Sequence, residues 1–124
     1  MTDKRLAKAQ LAKVRAFVGA LADAIERDSH GSPGFFRGKR CFAYFCDDHH
    51  RDGRIALWCA APAGAQAMLV DSDPDAYFVP PYVGHQGWVG VRLDRELAWD
   101  QVAAVLEAAY TERAPVKKPR PRRR

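Results

Sequence analysis

The chain has no asparagine at all, and only two methionines and three cysteines in 124 residues. No apolar run approaches the roughly 18–20 residues that a membrane-crossing helix needs. Residues 1–13 are charged throughout and offer no apolar core for an export signal. The expectation is a cytoplasmic protein with no membrane partner. Cys41, Cys46 and Cys59 are odd in number and lack C-x-x-C spacing, so the paired ligand clusters of a zinc finger or ribbon are missing. They read as reduced, half-buried thiols that behave as small hydrophobes. There is no G-x-S-x-G, and Ser29, Ser32 and Ser72 all fall in turn-like contexts. Gly84-x-x-Gly87-x-x-Gly90 has the wrong spacing for a phosphate-cradling loop and no helix after it.

What is present suits one globular domain: 48% hydrophobic and 28% charged residues. The net charge of +5 is unevenly placed. Residues 117–124 hold six of the 20 basic residues and no acid, which leaves 14 basic against 15 acidic residues, a net of −1, for residues 1–116. The chain therefore divides into a near-neutral domain, 1–116, and a basic tail, 117–124, expected to be disordered when free.

Leu11, Val14, Val18, Leu21 and Ile25 recur at spacings of three and four, which predicts an amphipathic helix over residues 3–27, ending near His30-Gly31. The period then shortens to two. Phe35-Phe36 is a short extended piece. Arg40–Cys46 alternates with Phe42, Tyr44 and Cys46 on one side, and Arg54–Ala60 alternates likewise. The polar loop between them ends in Asp52-Gly53, which predicts an antiparallel hairpin. A short helix over 63–70 follows Pro62, with Met68 and Leu69 toward the core. Tyr77–Val79 is briefly extended, and Gly87–Asp94 is a strand with Val89, Val91 and Leu93 on one face. A last helix, capped by Asp100 and stopped by Pro115, carries the stripe Trp99, Val102, Ala103, Leu106 and Tyr110. Together these elements imply an α+β fold of two layers, an antiparallel sheet with helices packed on one face.

Several blocks carry a family resemblance. They are Phe42-Ala43-Tyr44-Phe45, Asp47-Asp48-His49-His50 with Asp52-Gly53-Arg54, and Ala56-Leu57-Trp58-Cys59. Ala61-Pro62 with Gly64-Ala65-Gln66, Asp73-Pro74, Phe78-Val79-Pro80-Pro81-Tyr82-Val83-Gly84 and Gly87-Trp88-Val89-Gly90-Val91-Arg92-Leu93-Asp94 complete the set. Over roughly residues 5–115 the chain resembles the MmcQ/YjbR family of small bacterial proteins. The resemblance implies a frataxin/CyaY-like fold and a DNA-binding role through a "double wing" of β-hairpins. It supplies no catalytic residues. Some relatives carry a purine-biosynthesis formyltransferase label, but an Asn-His-Asp constellation is impossible in a chain without asparagine. Iron delivery by an acidic first helix does not transfer either, because Lys4, Arg5, Lys8, Lys13 and Arg15 make this one basic.

The leading expectation is thus a non-enzymatic protein that contacts DNA phosphates with little base readout, without a cofactor, a bound metal or catalytic residues. Its contacts would be Lys39 and Arg40 at a strand start, Arg51 and Arg54 at the hairpin loop and Arg92 on the last strand. Lys117, Lys118, Arg120, Arg122, Arg123 and Arg124 of the tail would add to them. The rival from another class is a protein- or small-ligand-binding module using the open sheet face, and a third reading is an uncharacterised enzyme such as a formyltransferase. A continuous basic stripe favours the first, basic residues each capped by Asp count against it, and a concave apolar pocket beside His49, His85 and Trp88 favours the second. The Asp47-Asp48-His49-His50-Arg51-Asp52-Gly53 loop is either a transition-metal ligand set or a polar loop bonded to its own backbone.

Overall fold

The computed structural model describes residues 1–115; the basic segment 117–124 lies outside the described residues. Helix α1 (Lys4–Gly19) starts where the Asp3 carboxylate accepts the Arg5 and Leu6 N–H groups, satisfying two amides that a helix start leaves unpaired. Ala7, Val14 and Val18 are its buried stripe.

The helix expected to run to residue 27 stops eight residues earlier. Residues 24–29 instead form an edge strand, β1 (Ala24–Ser29), paired antiparallel with β2 (Ser32–Arg37). His30 and Gly31, expected to end a helix, are the two left-handed residues (φ 53° and 83°) of a two-residue hairpin turn. That turn suits the twist of paired strands. The helical spacing of Leu21 and Ile25 was coincidental: Ile25 is 43% exposed, and its backbone bonds go to β2 rather than back along a helix.

Strands β3 (Arg40–Asp47) and β4 (Ile55–Cys59) form the expected hairpin, with a 3₁₀ turn at His49–Arg51. Helix α2 (Ala65–Ser72) leads to the two-residue strand β5 (Tyr77–Phe78), and β6 (Val89–Arg92) lies between β4 and β5. All neighbours in the six-stranded order β1-β2-β3-β4-β6-β5 are antiparallel. Helix α3 (Trp99–Glu112) closes the described chain. Ala98, not Asp100, is its N-cap, without a side-chain bond; Asp100 lies in the first turn, where its charge suits the helix dipole. Met68, expected in the core, is 64% exposed because α2 buries no residue fully.

The register separates the sheet faces. Ala43, Cys59 and Val89 align on one face, followed by Phe45, Leu57 and Val91. All six are at most 4% exposed and share one core with Val14 and Val18 of α1 and Val102 and Leu106 of α3. The other face carries Tyr44, Trp58 and Gly90 in one row and Cys46, Ala56 and Arg92 in the next. Phe42 departs from the simple alternation that groups it with Tyr44. A β-bulge opposite Phe35/Phe36 shifts the register, so Phe42 packs edge-on against Tyr110 of α3, centroids 5.7 Å apart. Tyr44 stacks on Trp88 at 5.6 Å. The extra residue turns neighbouring side chains toward different layers.

Candidate functional site

The face without α1 and α3 holds a cavity of about 480 Å³, within the range of small-ligand sites. Three pieces of backbone build it. The β1–β2 turn brings Ser29, His30 and Ser32; the β3–β4 hairpin brings Tyr44, Cys46, His49, His50 and Trp58; and the segment before β6 brings Tyr82 and Val83. Alternation explains the floor, since Tyr44, Cys46 and Trp58 are the residues of β3 and β4 that point away from the α1/α3 core.

The hairpin loop is folded by its own aspartates. Asp48 Oδ1 accepts the Gly53 N–H at 2.8 Å and Asp52 Oδ1 accepts the Arg54 N–H at 2.9 Å. This is the self-bonded alternative expected of such a loop. Among the described residues no group of three or more His, Cys, Asp or Glu side chains converges as a metal site would require. The loop's backbone is nonetheless bent. Asp48, His50 and Arg51 have φ of 55°, 50° and 61°, and Tyr82 across the cavity has φ 65°. Each left-handed residue costs roughly 1–2 kcal/mol, and a bulky one such as Tyr82 is an unusual occupant of that region. The bend places the His49 and His50 rings 4.1 Å apart. The Tyr82 hydroxyl meets His50 Nε2 at 3.1 Å and closes the rim.

Beneath this rim the His49 ring packs edge-on against Trp58, with centroids 4.8 Å apart. His49 Nε2 and Trp58 Nε1 are both buried without a hydrogen-bond partner. Burial, reinforced by the neighbouring His50 charge, lowers the His49 pKa; Asp52 offsets this only in part. Hence His49 is neutral at pH 7. Burial pushes the Cys46 thiol up to about 12, so it is protonated and unreactive there.

Among the described residues, the basic side chains singled out for DNA do not meet in one stripe of free cations; Lys117, Lys118, Arg120, Arg122, Arg123 and Arg124 lie outside the described residues. Arg92 makes a two-pronged bond to Asp94, 2.9 Å at each contact, and Arg40 donates to the Ala114 carbonyl. Arg54 lies over the Phe78 ring, 4.2 Å from its centroid. Lys39 and Arg51 are exposed at the two ends of β3 and have no ion-pair partner among the described residues. Of the first-helix cations, Lys4 pairs with Asp47 and Arg15 with Glu26. Asp94 is held below the usual carboxylate range; burial would raise it, but Arg92 and the Ile55 N–H more than compensate.

Of the three residues beside which a pocket would favour ligand binding, His49 lines this one and His85 and Trp88 do not. Trp88 is buried behind Tyr44 and His85 points outward in the turn before β6. Ser29, His30, Ser32 and Tyr44 were not singled out as a ligand site. The only advance sign of them was the His30-Gly31 dipeptide, which is a hairpin-turn signal once strands flank it.

Comparison with known proteins agrees with this fold. The crystal structure of the Deinococcus radiodurans protein DR2400, described as a DUF419 domain, superposes with a TM-score of 0.68 at 18% identity, covering 81% of this chain and 75% of that one. No curated protein matches. The YjbR family matches residues 19–112, well over half of the sequence, from the end of α1 to the end of α3. The chain belongs to the YjbR family.

Proposed function

We propose that this protein is a non-enzymatic binding module whose working site is the cavity on the open sheet face, and that its ligand is a small, largely apolar molecule. One observation carries the reading: two hairpin tips and the Tyr82 segment converge on one cavity, and His50 and Tyr82 on its rim hold left-handed backbone. Strain of this kind persists only where the surrounding structure enforces it, and it gathers at ligand-contacting segments. The unreactive Cys46 thiol supports binding over nucleophilic chemistry.

The test is equilibrium dialysis of the full chain against 2-methylnaphthalene, with the bound fraction read from the depletion of the free compound. Saturable uptake of one molecule per chain, weakened several-fold in Tyr82→Ala, is the expected result. Tyr82 is 67% exposed, so its removal leaves the core intact. Uptake that does not saturate, or that ignores Tyr82→Ala, sinks the reading.

A second reading, sequence-tolerant DNA binding, rests on a separate observation: the six cations of Lys117, Lys118, Arg120, Arg122, Arg123 and Arg124 within eight residues. Exposed Lys39 and Arg51 would add to them. Six neutralised phosphates correspond to a log–log salt slope of up to about −5, from roughly 0.9 per phosphate. Deleting 117–124 should weaken duplex binding at low salt and flatten that slope. A residual slope of about −2 to −3 assigns phosphate contacts to the domain; complete loss assigns them to the tail alone. An unchanged slope refutes the tail's part.

A further inference from the structure

From the one-sided polarity of the cavity we infer that its ligand is a phenol, an uncharged aromatic ring bearing a single hydroxyl group. The ring would lie toward Trp58 and Tyr82 and the hydroxyl toward Ser29 and Ser32. This inference rests on the cavity being the binding site. Sheet order separates the two ends: Ser32 belongs to β2 and Trp58 to β4, with β3 between them. At roughly 4.8 Å per strand the ends stand about 10 Å apart, the length of a two-ring aromatic with one substituent.

At the β4 end the side chains are rings. The His49 ring lies 4.8 Å from Trp58, and His49 and His50 lie 6.2 and 6.1 Å from Tyr82, centroid to centroid. Rings gathered about one space favour a flat partner with its own π-face over a saturated one of similar size, because aromatic pairs gain attraction beyond area burial.

At the β1–β2 end the side chains are hydroxyls. Gly34 stands opposite Tyr44 and has no side chain, and the Ser29 Cβ lies 3.2 Å from where a Cβ on Gly34 would be. Ser29 therefore leans over Gly34 on the open face, where its hydroxyl neighbours that of Tyr44. Ser32, the cross-strand partner of Ser29, lies beside the Cys46 thiol. Both serines are half-buried and line the cavity. A hydroxyl rotates, donates one hydrogen bond and accepts two, so this cluster serves a ligand hydroxyl in either sense. A second polar group, placed among the rings, would lose its water without a matching partner.

Charge narrows the class further. No lysine, arginine, aspartate or glutamate lines the cavity. A carboxylate would shed its water without meeting a fixed cation, and an ammonium without meeting a carboxylate. A phenol, with a pKa of about 10, is un-ionised at pH 7.

The experiment compares four probes on the unaltered full chain by equilibrium dialysis at pH 7: 2-naphthol, 2-methylnaphthalene, 2-naphthoate and decahydro-2-naphthol. The second replaces the hydroxyl by a methyl group of similar size, the third carries a charge, and the fourth keeps the hydroxyl but loses the π-face. One 2-naphthol per chain is expected to bind, about tenfold more tightly than each of the others. Replacing both serines, Ser29→Ala with Ser32→Ala, should bring 2-naphthol and 2-methylnaphthalene within about threefold of each other. Equal binding of those two to the unaltered chain overturns the hydroxyl assignment while the cavity reading stands. Equal binding of decahydro-2-naphthol overturns the aromatic assignment, and tighter binding of 2-naphthoate overturns the neutral one. A preference for 2-naphthol that persists undiminished in the folded double variant removes the serines from the site. If no probe binds, both the phenol and the cavity readings fall. The four-probe comparison needs no variant, so a misfolded double variant does not rescue the inference.

Discussion

The two faces of this sheet are built from the same strands and differ in what covers them. On the covered face, Phe45, Leu57 and Val91 are at most 4% exposed and meet α1 and α3 through hydrocarbon side chains that have no polar atom to satisfy. On the open face, Tyr44, Trp58, His49 and His50 are ringed, polar-tipped and roofed by turns instead of helices. The covered face gains by excluding water completely. The open face keeps a cavity of about 480 Å³, two unpaired buried nitrogens and left-handed residues on its rim. Stability is thus concentrated on one side and unmet interaction on the other, the division expected where a rigid scaffold presents a site.

This division makes mutations on the two faces behave differently. Leu57→Ala on the covered face should cost about 2–5 kcal/mol in urea unfolding, from lost transfer energy plus an unfilled cavity. A loss below ~1 kcal/mol would mean that the covered face is not the main core.

On the open face, Tyr82→Gly should change stability by no more than about 1 kcal/mol, because relief of a left-handed tyrosine offsets its lost contacts. The same substitution should weaken uptake of 2-methylnaphthalene. A large stability loss with unaltered uptake would assign Tyr82 to the scaffold.

The third contrast is in pH. His49 titrates below the unfolded-chain value of about 6.5 because burial disfavours its charged form. At pH 7.5 the group is neutral in both states and costs nothing. As pH falls through 6.5 the unfolded chain takes up the proton first, so stability declines toward pH 5.5. The melting temperature should therefore drop over that window, and the drop should shrink in His49→Gln. An equal drop in the variant assigns the effect to other groups.

The smallest effect expected is at Arg51, exposed, left-handed and without an ion-pair partner among the described residues. Arg51→Gly should leave stability unchanged or raise it by up to about 1 kcal/mol in the same unfolding assay. A clear destabilisation would show that the Arg51 side chain holds the loop.

Much of the covered face was legible in the sequence. Period-two runs at Arg40–Cys46, Arg54–Ala60 and Gly87–Asp94 specify strands, and the Val14–Val18 and Val102–Leu106 stripes specify the helices that cover them. Burial imposes these patterns directly, because each strand or helix must turn its apolar side to the core. The first hairpin was not legible. Leu21 and Ile25 continue a helical spacing, and only pairing with β2 decides that residues 24–29 are extended.

Of the candidate site, the sequence by itself determined a polar hairpin loop rich in Asp and His and an Arg92 set beside Asp94. Tertiary structure decided what those residues face. Arg92 is occupied by Asp94, and Arg40 by the Ala114 carbonyl 74 positions away in the chain. The cavity joins residues from 29 to 83, brought together only when β2, β3 and β4 are in register. Whether a polar atom ends up paired or orphaned also depends on that register. Local periodicity encodes which side of an element is apolar; it carries no record of which distant side chains will share a space, because that is fixed by strand order and turn geometry.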